Sequence, residues 1–349
     1  MNGFKWPGED LVKSMWASVV DNGIGSLLRP GQIRREGRAR TEVKVERMLA
    51  IAAAERDIET LRSNPQRLLP GATGIVSSPA RLHSGTPESS SREPDEFVAA
   101  AVSDVVAERL RKEVNVSKAL VHAEEALADD PSPPPQEKPE PDWLFRWRDA
   151  AGAVSSDELQ HLWGQVLAGE VKAPGSFSLR SIEFLRTISK HEADLIERVS
   201  RFVWTDIIYR EKEALDERGI TFQLLLEMQD LGLISGVEAE TITRTLTTNG
   251  PDRFYNAILA KDSRIMFVEH TDPTVTLAIP VYKVTAMGAQ IFKLSAQPLD
   301  LDYMRHVGRK ICGDGYSVKL GRYALRDDGM LRLSEMDLLC DGPVAPTPS

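Results

Sequence analysis

Two proline-rich interruptions set the limits on what this chain can fold into. Residues 63–93 carry Pro65, Pro70, Pro79 and Pro87 together with Ser89-Ser90-Ser91, and residues 130–141 carry Pro131, Pro133, Pro134, Pro135, Pro139 and Pro141. Proline removes a backbone donor and fixes φ, so no regular helix or central strand runs through such a stretch. The first interruption buries too little apolar surface to offset its ordering entropy and reads as a disordered linker. The second reads as a short extended spacer of polyproline character. They divide the 349 residues into N-terminal helices (1–62), a helical segment (94–129) and a long continuously folded stretch from 142 to a tail at 343–349. That length accommodates two or three folded units.

Charge and chemistry exclude several classes. There are 43 Lys and Arg against 52 Asp and Glu, a formal charge of −9, so the overall field does not favour nucleic acid. Two cysteines, Cys312 and Cys340, are too few for a disulfide framework or a four-thiolate zinc site, and Cys312 is expected to be merely buried or tolerated. No apolar run reaches the roughly 18 residues of a spanning helix, and the N-terminus has acids where a secretory signal has its basic and apolar regions. A cytoplasmic or membrane-surface location is expected.

The first helical stretch has the clearest periodicity. Leu11, Val12, Met15, Trp16, Val19, Val20, Ile24, Leu27 and Leu28 recur every three or four positions and share one face until Pro30 ends the helix. A basic run follows, including Arg29, Arg34, Arg35 and Arg38. Such a stripe beside such a run fits a helix lying on an anionic membrane. It also fits packing on the protein's own helices or on a second copy, which ranks first because Glu9, Asp10 and Asp21 oppose anionic lipid. These thirteen residues are the candidate interaction set.

Residues 142–203 predict a helical hairpin array. Ser155 with Glu158 and Ser189 with Glu192 fit capping boxes, and Ser178 fits a cap after the Pro174-Gly175-Ser176 turn. Leu159, Leu162, Trp163, Val166 and Leu167 are expected on one face, and Leu162, Trp163, Val166, Phe177, Leu185 and Ile196 in a common core. Residues 204–295 resemble a winged-helix unit: a helix over 221–231 closed by Gly232, strands at 265–268 and 275–279 expected as a hairpin, then Tyr282-x-Val284-Thr285-x-x-Gly288. The helix preceding that hairpin carries Glu227 and Asp230 but no Lys or Arg, a poor phosphate neutraliser. Residues 296–342 predict a helix followed by three short strands, 316–320, 322–326 and 330–333, around Asp327-Asp328-Gly329. The fold expected is therefore mostly α, with a helical hairpin array followed by a winged-helix-like unit and a small antiparallel sheet.

No motif carries a reaction. Phosphate-binding glycine loops are missing, and the six histidines show no metal-ligand spacing. No catalytic, cofactor or metal residue is assigned, and no small-molecule substrate is evident.

Asn115-Val116-x-x-Ala119, Asp142-Trp143-Leu144, the run from Leu159 to Leu167-Ala168-Gly169-Glu170, Pro174-Gly175-Ser176-Phe177-Ser178 and Ser189-x-x-Glu192-Ala193 resemble a bacterial family of unknown function. That family is distantly similar to the Abi-alpha abortive-infection proteins. The resemblance implies a helical, cytoplasmic or membrane-associated bacterial protein with a role in phage defence. No catalytic residue transfers from it. The function expected is a non-enzymatic interaction protein acting by self-association or peripheral membrane contact, with a winged-helix DNA-binding regulator as the alternative.

Overall fold

A computed structural model describes residues 6–24, 40–63, 92–240, 242–326 and 330–341. The chain divides into two compact units, 1–182 and 183–349. The division falls inside a helix of the stretch that the sequence presents as one helical core.

The first unit is built on helices α1 (Glu9–Asp21), α2 (Arg40–Ser63), α3 (Arg92–Ala128), α4 (Pro141–Ala153) and α5 (Asp157–Lys172). At 1.5 Å per residue the 37 residues of α3 span about 55 Å. The others pack along it, so α3 is the axis of the unit. Pro141 occupies the first turn of α4, where its missing N–H costs nothing. α3 and α5 cross with backbones in close approach: a Cβ on Gly164 would lie 2.6 Å from the His122 Cβ and 2.9 Å from the Ala119 carbonyl oxygen.

Inside this unit several buried side-chain donors find backbone partners. Trp147 donates through Nε1 to the Trp163 carbonyl at 2.8 Å, and Trp143 to the Phe177 carbonyl at 2.6 Å. Asn115 donates to the Gly152 carbonyl at 2.9 Å and accepts from Gln160. Glu170, only 2% exposed, accepts the backbone N–H groups of Gly175 (2.6 Å) and Phe177 (2.9 Å), fixing the turn after α5. Its burial raises the carboxyl pKa above the usual value, although those N–H bonds pull the other way.

Helix α6 (Leu179–Thr187) carries the boundary, and α7 (Lys190–Ser200) follows. Ser178 accepts from Ser181 N–H, and Ser189 with Glu192 forms the full capping box. The cap of α5 is Ser156, not Ser155, so its third helical position is Leu159 and no box forms. Leu159 is then exposed and Leu162 half-buried, while Trp163, Val166, Phe177, Leu185 and Ile196 are each buried.

The second unit holds two antiparallel sheets. Strands β1 (Ile207–Tyr209) and β2 (Ile234–Ser235) flank β6 (Leu277–Val284), and β3 (Thr243–Leu246) extends β6 at its other end. Helices α8 (Lys212–Asp216) and α9 (Phe222–Asp230) lie between β1 and β2 in sequence, and α10 (Ala286–Phe292), capped by Thr285, follows β6. The second sheet orders β4 (Phe254–Ala260), β5 (Arg264–His270), β7 (Ser317–Leu325) and β8 (Leu331–Cys340), with α11 (Leu301–Gly313) packed on β7 and β8.

Three sequence expectations are corrected here. The strands near 265 and 275 are not a hairpin: β5 pairs with β4 and β7, while β6 belongs to the first sheet. The chain changes sheets between His270 and Leu277, and alternation within a strand does not encode which neighbour it meets. The strands at 316–320 and 322–326 are one strand, β7, whose irregular pairing with β8 falls around Gly321. Finally, Cys312 and Cys340 form a disulfide across 28 residues, because α11 and β8 end side by side with Cα atoms 6.2 Å apart. The architecture is a mixed α+β fold with a largely helical first half.

Candidate interaction surface

Helix α1 spends its apolar stripe on the protein itself. Leu11, Val12, Met15, Trp16, Val19 and Ile24 are all buried, Met15 and Val19 at 0% exposure, and Val20 is 37% exposed. The helix packs on α3 and α5. Gly8 N–H donates to the Ala128 carbonyl (2.9 Å), and Trp16 Nε1 donates to Glu124 (3.0 Å). This face is core, so it offers neither lipid nor a second copy a free apolar surface. Of the remaining candidates, Leu27, Leu28, Arg29, Arg34, Arg35 and Arg38 lie outside the described residues.

Helix α3 has two halves of different character. From Glu113 to Ala128 it is surrounded by the other helices, and Val114, Val116, Ala119, Leu120, Ala123 and Leu127 are buried. Glu113 is buried where Arg148 and Arg109 (3.3 Å) pair with it, so its charge is compensated. Among the described residues, α2 covers the helix from Ala100 to Lys112 on one side. Ser103 Oγ donates to the Leu61 carbonyl at 2.8 Å, and Lys118 meets Glu55 at 2.7 Å, which makes the pairing antiparallel. Ser103 and Ala107 face α2 and are buried.

Among the described residues, the opposite face carries exposed valines. Val102, Val105 and Val106 are exposed, Val105 at 69%. Spacings of three and four residues put them on one stripe. Beside them lies a shallow apolar hollow lined by Asp104, Val105, Glu108, Arg109 and Lys112. Sequence reasoning missed this stripe, although the signal existed: valine at 98, 102 and 105 is a run of heptad positions inside a charged helix.

A second exposed apolar group lies at the end of β7, just before β8 and along β8, at Leu325, Met330, Leu333 and Leu338. There Glu335 has a φ of +52° where the β7–β8 register shifts. A bulge on an edge strand twists the edge away from further pairing. Arg332, Glu335 and Asp337 add charge along it. The α3 stripe carries no such device.

Among the described residues, no group of three or more His, Cys, Asp or Glu side chains converges as metal ligands, and no helix is long and apolar enough to cross a membrane.

Residues 103–213 match a family model described as a protein of unknown function, DUF2806. The match begins at the valine stripe, takes in the buried half of α3 with α4 and α5, and ends after β1. It supports an uncharacterised domain family for this third of the chain. No curated protein and no solved structure matches the sequence.

Proposed function

We propose that this protein is a non-enzymatic interaction protein that engages its partner through the open valine stripe of α3. The observation that carries this reading is the contrast within one helix. Where α1, α4 and α5 surround α3 its apolar residues are buried, and where they do not, Val102, Val105 and Val106 remain exposed in a row. Each valine side chain is worth roughly 1.5–3 kcal/mol when fully covered, so a partner that covered the row would gain appreciably. Peripheral membrane contact loses its main support, because the stripe of α1 faces the protein's own helices. The abortive-infection setting, which rests on the motif resemblance at 142–193, belongs to the same proposal. It predicts fewer phage plaques on cells expressing the protein than on cells expressing a stripe variant.

The winged-helix reading of 204–295 is kept as a second, structural proposal. Two helices between β1 and β2, with β6 returning between those strands, support it. The insertion of β4 and β5 between β3 and β6 departs from it. The outward residues of α9, Phe222, Gln223 and Asp230, supply no cation, so DNA binding through this helix finds no support.

The test of the interaction reading is a photo-crosslinking residue at position 105, introduced into the full chain in the cells that produce it. A discrete protein adduct is expected, and it should vanish when Val102 and Val106 are both replaced by Ser. The reading fails if position 105 yields no adduct while a core position such as 167 crosslinks internally.

A further inference from the structure

A hollow in the second unit is lined by charges of both signs. Helix α11 lies close to its sheet at Gly308, where a Cβ would lie 2.5 Å from Leu339 Cδ2 and 3.4 Å from both Met266 and Val318. The Cys312–Cys340 disulfide joins the C-terminal ends of α11 and β8. Toward the other end of the helix a hollow of about 110 Å³ opens between α11 and the sheet. Leu301 and Met304 of α11 give it apolar wall, and Arg264, Arg305, Glu335 and Asp337 give it charge. Strand geometry sets these charges in place. Met266 faces α11, so Arg264, two residues earlier on β5, shares that face. On β8, Asp337 is opposite Leu320 and Ser334 opposite Arg322, so Glu335 and Met336 are both set against Gly321. Such a bulge re-aims the side chains beside it, and Glu335 holds its left-handed φ of +52° here. Arg305 pairs with Asp302 at 2.8 Å. Among the described residues, Arg264, Glu335 and Asp337 meet no side chain of opposite charge.

The arrangement of the charges selects a class of ligand. The bases come from β5 and α11, and the unpaired acids come from β8, two strand spacings or about 9.5 Å from β5. An anion alone would leave the acids unmet, and a cation alone would leave Arg264 unmet. A carboxylate and an ammonium on one frame satisfy both sides. The apolar wall calls for a short hydrocarbon group as well, and a volume about a third of the smallest pockets that take drug-sized molecules keeps the frame small. We propose that this hollow binds a small zwitterion, an aliphatic α-amino acid, with its carboxylate at Arg264 and Arg305 and its ammonium at Glu335 and Asp337. The site is separate from the interaction reading of α3 and adds a ligand to the second unit.

Titration of the purified full-length chain with L-valine, followed by calorimetry and by saturation-transfer NMR, tests this. Saturable one-to-one binding is expected. Arg264→Gln and Asp337→Asn should each weaken it about tenfold, the size of one hydrogen bond to a charged group. Neither residue has an ion pair to lose, so the melting midpoint should stay at the parent value. Valine analogues assign the two ends. Valinamide, which lacks the carboxylate, should bind the parent and Arg264→Gln alike. Isovalerate, which lacks the ammonium, should bind the parent and Asp337→Asn alike. Glycine keeps both charges without the hydrocarbon and should bind about tenfold more weakly than valine. If a variant melts lower than the parent, the parent alone decides, because it must prefer valine to both analogues about tenfold. The absence of any valine signal by either method overturns the proposal. Valine binding that neither variant weakens overturns it too, since the ligand then sits elsewhere. Isovalerate or valinamide bound as tightly as valine overturns the zwitterion, and glycine bound as tightly overturns the aliphatic assignment.

Discussion

Replacing Met15 with Ala separates a structural α1 from a recruiting one. Met15 is fully buried, and α1 is further held by the Gly8–Ala128 backbone bond and by Trp16 on Glu124. Truncating a buried methionine typically costs about 2–5 kcal/mol, from lost transfer energy and the cavity left behind. Partial collapse of the surrounding side chains into the cavity places the change in the lower part of that range, roughly 2–3 kcal/mol. For a unit of 182 residues this lowers the melting midpoint by roughly 4–12 °C. Urea unfolding followed by tryptophan fluorescence is a suitable assay, since Trp6, Trp16, Trp143, Trp147 and Trp163 lie in the first unit and only Trp204 in the second. The control is Val20→Ala on the same helix, at 37% exposure, which should cost well under half as much. The reasoning is refuted if Met15→Ala changes stability no more than Val20→Ala does and instead lowers oligomer mass or vesicle binding. That outcome would mean α1 leaves the core in solution.

Three further outcomes follow from the same packing. Gly164→Ala should destabilise the first unit by about 1–3 kcal/mol, because the new methyl would overlap His122 and the α3 backbone; an unchanged urea midpoint would show that the two helices can part without cost. Glu170→Ala should cost about 1–3 kcal/mol, because the N–H groups of Gly175 and Phe177 would lose their acceptor. Burial raises the folded pKa of Glu170 above its unfolded value, so the stability it contributes is complete below the unfolded pKa and declines as pH rises through the folded one. The gap between parent and variant should therefore be widest on the acid side of that window and narrow above it, and urea midpoints that show the opposite slope would contradict the assignment. Reducing Cys312–Cys340, or replacing both residues by Ser, should lower stability of the second unit alone by about 2–4 kcal/mol, the loop-closure value for 28 residues. Calorimetry with and without reductant checks this, and equal loss in both transitions would be inconsistent with it.

What the sequence made legible was local. Helices α4 to α7 and the Ser189–Glu192 box could be read because period and cap chemistry act within a few residues. The one-residue slip from Ser155 to Ser156 has the same origin: two adjacent serines offer the same hydroxyl, and the backbone decides between them. Pairing was not legible, since β5 and β6 each alternate correctly but the turn after His270 sends them to different sheets. The disulfide was hidden for a related reason, because nothing near Cys312 announces that β8 will end beside it.

The apolar stripe of α1 carries a subtler ambiguity. Periodicity identifies an apolar face and says nothing of what covers it, so the larger stripe on α1 drew the functional reading and the smaller one on α3 was passed over. The larger stripe repays burial inside the fold most, and on α1 it is buried. The surface we propose for recruitment lies where α3 extends past the described helices that bury its second half. The proline spacer at 130–141 leads into α4, and at its far end a Cβ on Gly152 would lie 3.4 Å from the Lys112 Cβ of α3. Among the described residues, α3 from Ala100 to that point has α2 on one side and the exposed Val102, Val105 and Val106 on the other, and our proposal assigns that stripe to a partner.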